Sequence, residues 1–202
     1  RTQDRGPTRC KHAPKEHLNT HWGSWRKRRV ACPTGIKPTQ HHTGTFKIKE
    51  GILYVTNHAL TGGSFVIDTQ SLTNTDIKVA ADKAKLEGHL KSPDFFDVAK
   101  YPTAKFEITA VEPFIADSSS GNTSVVENAT NLIKGNLSIK DSIINISFPA
   151  KVTLDANSAS AFAHFNIDRT RWGINYKGPG NPKDWVINKD VNIKLTISAS
   201  KK

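Results

Sequence analysis

The chain has 202 residues, of which 36% are hydrophobic, and its formal net charge is +11. This length suits a single domain with a substantial buried core. No apolar run approaches the roughly 18 residues that are needed to cross a bilayer, so the sequence predicts no membrane-spanning helix.

The positive charge is concentrated near the start of the chain. Residues 1–34 contain nine basic and two acidic side chains, a net +7, which leaves +4 for the rest. They show no sustained strand or helix period, and such a basic, aperiodic segment is typical of disordered chain or of sequence from a shifted reading frame. Tryptophans among arginines can bind single-stranded nucleic acid. This segment offers no fold to present them, so we expect no nucleic-acid partner.

From residue 35 onward, apolar and polar residues alternate in one segment after another. In "TGTFKIKEG", for example, Phe46 and Ile48 lie on the face opposite Lys47. This alternation is the pattern of a β-strand with one buried face. It recurs in "GGSFVIDTQSL", "TAKFEITAV", "NLIKGNLSIKD", "IINISFPAKVTLD", "AFAHFNIDRT" and "VNIKLTISAS". We therefore predict that residues 35–202 form one domain of antiparallel strands.

One segment has helical spacing instead. Ile77, Ala80 and Ala84 recur at intervals near a helical turn, and Pro93 follows them. A proline cannot continue a helix, so we predict a short helix over residues 76–89.

The helix is followed by a compact turn at residues 93–98 that contains two adjacent phenylalanines, Phe95 and Phe96. The next segment is a predicted strand with an apolar inner face. We predict that the turn plugs the space between the helix and the sheet. One ring then faces the interior and the other faces the helix.

Seven or eight amphipathic strands and one short helix have few ways to bury one apolar face. A closed or nearly closed antiparallel barrel of about eight strands does so, and a sandwich of two sheets is the alternative. The interior of a barrel of this size is either filled by side chains or holds one small apolar ligand. The predicted fold class is therefore all-β, with the barrel favoured.

Four segments in the same order carry a family resemblance. "GHLKSPDFFDVAKYPTAKFEIT" closely resembles the hallmark stretch of the YceI-like family of polyisoprenoid-binding barrel proteins. Three others resemble further motifs of that family: "HHTGTFKIKEG", "GGSFVIDTQSLTNTD" and "FNIDRTRWGINY". Together with the strands between them, they extend the resemblance over about residues 35–200.

The resemblance implies an extended, lipocalin-like barrel that encloses a long isoprenoid or acyl chain. It also implies a periplasmic or secreted protein that is not an enzyme and needs no cofactor other than the bound lipid. Residues 1–31 resemble nothing in the family, although the first strand is expected there. An incomplete first strand would expose a sheet edge, which favours a homodimer.

The predicted ligand-binding residues combine the inward apolar faces with two residues of the last motif, Arg171 and Trp172. An arginine fork can hold a phosphate or carboxylate head group. We expect Arg171 to do so, because Asp168 and Arg169 are expected to form an ion pair that fixes the strand end. The full predicted set is Phe46, Ile48, Phe65, Ile67, Phe106, Ile108, Leu137, Ile146, Phe148, Phe165, Arg171 and Trp172.

The sequence contains no serine-hydrolase, zinc-protease, phosphate-loop or dinucleotide motif. The adjacent His41 and His42 point to opposite faces of a strand, so we predict no metal site. An enzyme that acts on a lipid head group is a distant alternative, and His164, Asp168 and Arg171 would then be its first candidates.

Two functional hypotheses follow. The first is a lipid carrier or storage protein that holds an isoprenoid, of the polyprenyl or quinone type, or a long acyl chain. The second is a structural or stress-related interaction protein whose barrel is filled with side chains and holds no ligand.

Overall fold

The computed structural model describes residues 42–115, 126–178 and 187–200, and the backbone alone of residues 8–11, 17–18, 28–29 and 185–186. The predicted boundary between residues 34 and 35 lies outside the described residues. Among the described residues, no helix is both long enough and apolar enough to pass through a membrane.

Seven long strands form one antiparallel sheet in which each strand pairs with the next along the chain. This up-and-down order curls into a nearly closed barrel, which confirms the predicted architecture in preference to the sandwich. The strands are β1 (Gly44–Thr56), β2 (Ala59–Asn74), β3 (Thr103–Pro113), β4 (Asn131–Ile139), β5 (Ser142–Leu154), β6 (Ser158–Asp168) and β7 (Asp190–Ser200).

The eighth strand of the prediction is represented by two short backbone stretches. Thr8–Lys11 pairs with residues 52–55 of β1, and His17–Leu18 pairs with Phe46 and Lys47. The backbones of both stretches also lie close to β7. The long-strand count is therefore one fewer than predicted, and the two short stretches lie at the seam between β1 and β7.

The predicted alternation produces the core because successive side chains of a strand point to opposite faces. In β4, Ile133, Gly135, Leu137 and Ile139 are buried, and the residues between them are partly exposed. The register places Leu137 opposite Phe106, which lies opposite Phe65 on β2. Inward residues of neighbouring strands therefore meet in layers across the barrel.

Two glycines make room for aromatic rings inside the barrel. A Cβ atom at Gly135 would lie 2.4 Å from the ring of Phe106, and one at Gly51 would lie 2.5 Å from the ring of Phe65. Each ring therefore lies over a strand that lacks a side chain at that position. This is the close approach for which a glycine within a strand is suited.

Helix α1 runs from Ala80 to Lys91, later than the predicted residues 76–89. The side chain of Asn74 accepts a hydrogen bond from the backbone N–H of Ile77, at 2.9 Å, which holds this stretch in a turn before the helix begins. The predicted apolar stripe is also wrong, because Ala80 and Ala84 are exposed and Leu90 is the buried residue of the helix.

Asp76 holds the start of β1 against the end of β2. Its carboxylate accepts hydrogen bonds from the backbone N–H of Thr43 at 2.7 Å and from the Asn74 amide at 2.6 Å. The His42 ring lies 2.9 Å away. Partial burial tends to raise the pKa of Asp76, but the hydrogen bonds from Thr43, His42 and Asn74 outweigh it, so the pKa lies below its ordinary value.

We expect Asp76 to contribute to acid sensitivity. A carboxylate whose pKa is lowered in the folded state stabilises the fold fully at pH values above its unfolded pKa of about 4. That stabilisation is lost as the pH falls through the folded pKa. Asp76→Asn should therefore flatten the decline in unfolding free energy between about pH 5 and pH 2, as measured by urea denaturation. Asp141→Asn, at an exposed turn, is the control, and equal profiles for wild type and Asp76→Asn would contradict this role.

Candidate functional site

The end of the barrel that carries α1 contains an apolar cavity of about 110 Å³. Inward side chains of all seven strands line it, joined by residues of the turn after α1 and of the segment after β6. They are Phe46, Ile48, Phe65, Ile67, Thr69, Phe96, Ala104, Phe106, Leu137, Ile139, Ile146, Phe148, Phe165, Ile167, Arg169, Ile174, Val191, Ile193 and Leu195.

Nine of the twelve predicted ligand-binding residues line this cavity. Their contact with a ligand stays a prediction. They are Phe46, Ile48, Phe65, Ile67, Phe106, Leu137, Ile146, Phe148 and Phe165.

The structure places the other three predicted residues away from the cavity wall. Ile108 is the next inward residue of β3 after Phe106, further from α1, and its register partner is Gly135. Trp172 is completely buried, and its indole N–H donates to the Leu137 carbonyl at 2.9 Å. Arg171 is exposed, with its guanidinium carbon 5.9 Å from the centre of the Trp172 ring. Trp172 and Arg171 therefore belong to the short 3-10 helix after β6 and do not line the cavity.

Several cavity residues were missed by the sequence prediction although their signal was present. Ile139 and Ile167 follow predicted residues at alternate positions of β4 and β6, and Val191, Ile193 and Leu195 alternate along β7. The same period of two that identified the strands would have included them. Phe96, Arg169 and Ile174 lie outside the strands, so strand alternation could not reveal them.

The turn after α1 fills the space between the helix and the barrel, as predicted. The ring of Phe96 lines the cavity and meets Phe46 edge-on, with centroids 5.4 Å apart. The ring of Phe95 faces the helix instead, 5.1 Å from His89 and 5.4 Å from Tyr176. The expectation that one ring faces inward and the other faces the helix is confirmed.

Replacement of the two phenylalanines should have different effects. Phe95 is 2% exposed, and we expect Phe95→Ala to lower the unfolding free energy by about 3 kcal/mol, because the cavity left at a packed ring cannot be refilled. Phe96→Leu, which keeps an apolar group at the cavity wall, should lose about 1 kcal/mol. Denaturation curves provide the measurement, with Phe162→Ala on the outer barrel face as the control. If Phe96→Leu lowered the unfolding free energy more than Phe95→Ala, Phe96 rather than Phe95 would be the ring on which the packing depends.

Arg169 is buried at the edge of the cavity nearest α1. It holds together two loops of the connection between β6 and β7, residues 174–176 and 187–188. Its side chain is 2% exposed. Nε donates to the Asn188 carbonyl at 3.0 Å, and Nη2 donates to the carbonyls of Tyr176 at 3.1 Å and Ile187 at 3.0 Å. Nη1 donates to the Ile174 carbonyl. Burial lowers the pKa of the guanidinium, and the nearby Asp168 charge acts in the opposite direction.

The expected ion pair between Asp168 and Arg169 is wrong, because the Asp168 carboxylate bonds Thr170 and Lys189 instead. One oxygen of Asp168 accepts from the Thr170 backbone N–H at 3.0 Å and from the Thr170 hydroxyl at 2.6 Å, while the other lies 3.0 Å from Lys189 Nζ. Partial burial tends to raise the pKa of Asp168, but the hydrogen bonds from Thr170 and Lys189 outweigh it and lower the pKa. Asp168 thus ends β6, and Arg169 holds the loops beyond it.

A family model describing the YceI-like domain matches residues 31–199, which is most of the chain. This chain belongs to the YceI-like family. The family predicted from the sequence motifs is thereby confirmed.

Solved structures share the YceI-like fold at low sequence identity. BcnA from Burkholderia cenocepacia is 18% identical with a TM-score of 0.59, and the match covers 86% of this chain and 92% of that one. The Campylobacter jejuni YCEI protein is 17% identical with a TM-score of 0.58 and the same coverage. A polyisoprenoid binding domain from Saccharophagus degradans, implicated in plant cell wall breakdown, is 13% identical with a TM-score of 0.51, over 92% of this chain and 99% of that one. No curated protein matches the sequence significantly.

The three residues of the enzyme alternative have separate partners in this YceI-like barrel. His164 Nε2 lies 2.7 Å from the Asn192 side-chain oxygen, on the outer face of β6, because its neighbour Phe165 faces inward. Asp168 bonds Thr170 and Lys189, and Arg171 lies near the Trp172 ring. Within the described parts of the chain, no group of three histidine, cysteine or acidic side chains could hold a metal ion.

Proposed function

We propose that this YceI-like protein is a non-catalytic lipid-binding protein. Its ligand is an isoprenoid, of the polyprenyl or quinone type, or an acyl chain, and the apolar cavity at the helix end of the barrel is the binding site. The observation that carries the proposal is a cavity whose wall is built from inward apolar side chains of every long strand. Such a site favours an apolar chain over a polar substrate.

The free energy of binding would come from burial of the chain. Each methylene that leaves water contributes about 0.8 kcal/mol, so an apolar chain can be held without a polar contact. The four described hydrogen bonds of Arg169 go to backbone carbonyls, which favours a role in holding the loops. The related domain from Saccharophagus degradans, named as polyisoprenoid binding, supports the isoprenoid among the candidate ligands.

We further propose that the protein acts as a carrier or store in the periplasm or outside the cell. Homodimer formation stays a prediction. A second chain would pair at the seam between β1 and β7, because these are the outer strands in the order of the seven long strands. Cell fractionation and sedimentation of the purified protein test these two statements independently.

The filled barrel remains the second candidate function, and a specific observation favours it. The half of the interior away from α1 is packed with buried side chains, among them Leu53, Leu60, Ile133 and Ile197. A structural or interaction protein would need no more than this core.

Native mass spectrometry of the protein purified without detergent tests the proposal, together with calorimetric titration with geraniol and decanoic acid. We expect a bound lipid or saturable uptake. Ile193→Trp, which fills the cavity, should weaken uptake by about tenfold or more. Lys194→Trp, on the opposite face of the same strand, should bind as wild type does. A protein that is reproducibly empty and takes up neither ligand would favour the filled barrel.

A further inference from the structure

The cavity occupies one half of the barrel length. On β5 and β6 the lining ends at Phe148 and Phe165, and on β7 it ends at Leu195, the register partner of Ala163. One inward step further from α1, Ala150 and Ala163 are register partners and are 2% and 1% exposed. Further from α1, Leu53, Ala159 and Ile197 are 3%, 3% and 4% exposed, so packed side chains occupy this part of the interior.

Three aromatic rings, on β3, β5 and β6, lie at the deep end of the cavity. Phe148 and Phe165 are stacked, with centroids 4.0 Å apart and ring planes 5° apart. Phe106 lies 5.6 Å from Phe148 on the other side, and its ring is set over Gly135. Stacked and tilted aromatic contacts of this kind add to the stability gained from burial alone. We call these three residues the aromatic floor.

Phe148 lies where the cavity meets packed side chains. It lines the cavity, whereas its register partner Ile133, at the same level of the barrel, is buried and does not line it. Its ring is 3% exposed and lies between the other two rings of the floor. A chain that extended further into the barrel along β5 and β6 would have to displace this ring.

The cavity volume sets a corresponding limit on the ligand. An engineered cavity of about 150 Å³ lined by apolar side chains binds one benzene molecule. At about 110 Å³, the present cavity encloses an apolar group of roughly one isoprene unit without movement of a side chain.

We propose that the aromatic floor, and Phe148 above all, sets the length of chain that this barrel accepts. The preferred ligand is then a short isoprenoid or a short acyl chain, and a full polyprenyl chain is excluded from the interior. This inference rests on the proposed function and narrows its ligand class. Phe148, Phe106 and Phe165 are specificity-determining residues in this scheme.

The test is a series of isoprenoid alcohols of increasing length: prenol, geraniol, farnesol and geranylgeraniol. Calorimetric titration of the full chain should show the highest affinity for prenol or geraniol, with a loss of about tenfold or more at the longer members. Phe148→Ala should move the preference to a longer alcohol by at least one isoprene unit. Phe162→Ala, on the outer face of β6 and 38% exposed, should keep the wild-type order.

The outcomes separate the inference from the function on which it rests. If wild type binds none of the alcohols and no decanoic acid, the proposed function fails. If wild type binds geranylgeraniol as tightly as geraniol, or if Phe148→Ala leaves the preferred length unchanged, the floor does not limit chain length and the inference is overturned. Phe148→Leu, which removes the ring but keeps an apolar group, provides the same comparison if Phe148→Ala does not fold.

Discussion

Trp172→Ala is expected to lower the free energy of unfolding by about 5 kcal/mol, the upper end of the range for a buried aromatic residue. The side chain is completely buried, so its removal leaves a large cavity. The variant also loses the hydrogen bond from the indole N–H to the Leu137 carbonyl on β4. That bond attaches the 3-10 turn Arg169–Trp172 to a strand 35 residues away along the chain.

Trp172→Phe separates the two contributions. It keeps most of the ring but leaves the Leu137 carbonyl without its donor, and we expect a loss of about 1–3 kcal/mol. Guanidinium denaturation measures both variants. A loss below about 1 kcal/mol for Trp172→Ala, together with weaker lipid uptake, would restore Trp172 to the ligand-contacting role predicted from the sequence.

Arg169→Leu is expected to cost about 4 kcal/mol of stability. The guanidinium donates to four backbone carbonyls, of Ile174, Tyr176, Ile187 and Asn188. Leucine donates to none of them, and each buried carbonyl that loses its partner costs about 1–3 kcal/mol, part of which water and loop movement can recover. The two loops of the connection between β6 and β7 that Arg169 holds together should then separate.

Two further variants make this prediction specific. Arg169→Lys keeps the positive charge but lacks the planar fork, so it should recover only part of the loss. Arg171→Leu removes an exposed arginine two residues away and should change stability by no more than about 0.5 kcal/mol. Equal losses from Arg169→Leu and Arg171→Leu would show that the buried hydrogen bonds of Arg169 do not hold the loops.

The sequence by itself determined the strands and their inner faces. Alternation is a local property of extended chain, so Phe46, Phe65, Phe106 and Leu137 could be assigned to the interior from spacing alone. The family was also readable, because its motifs are continuous segments of sequence. The turn with Phe95 and Phe96 was identified for the same reason.

The ends of elements were less predictable, because side chains from other parts of the chain decide them. Helix α1 begins at Ala80, since Asn74 and Asp76 hold the preceding residues in a hydrogen-bonded turn with Thr43. Asp168 accepts from Thr170 and turns the chain out of β6. The sequence therefore predicts Trp172 as a cavity residue, whereas in the structure it is buried in the turn after β6 and does not line the cavity.

Tertiary structure alone decided how much space the barrel contains. Alternation shows that Phe106, Phe148 and Phe165 face inward, but not that Phe148 stacks on Phe165 and meets Phe106 at a tilt. That arrangement depends on cross-strand register and on the absence of a side chain at Gly135, which is far from these residues in sequence. The volume left for a ligand is a sum of such long-range contacts, and a periodic pattern in one strand does not contain them.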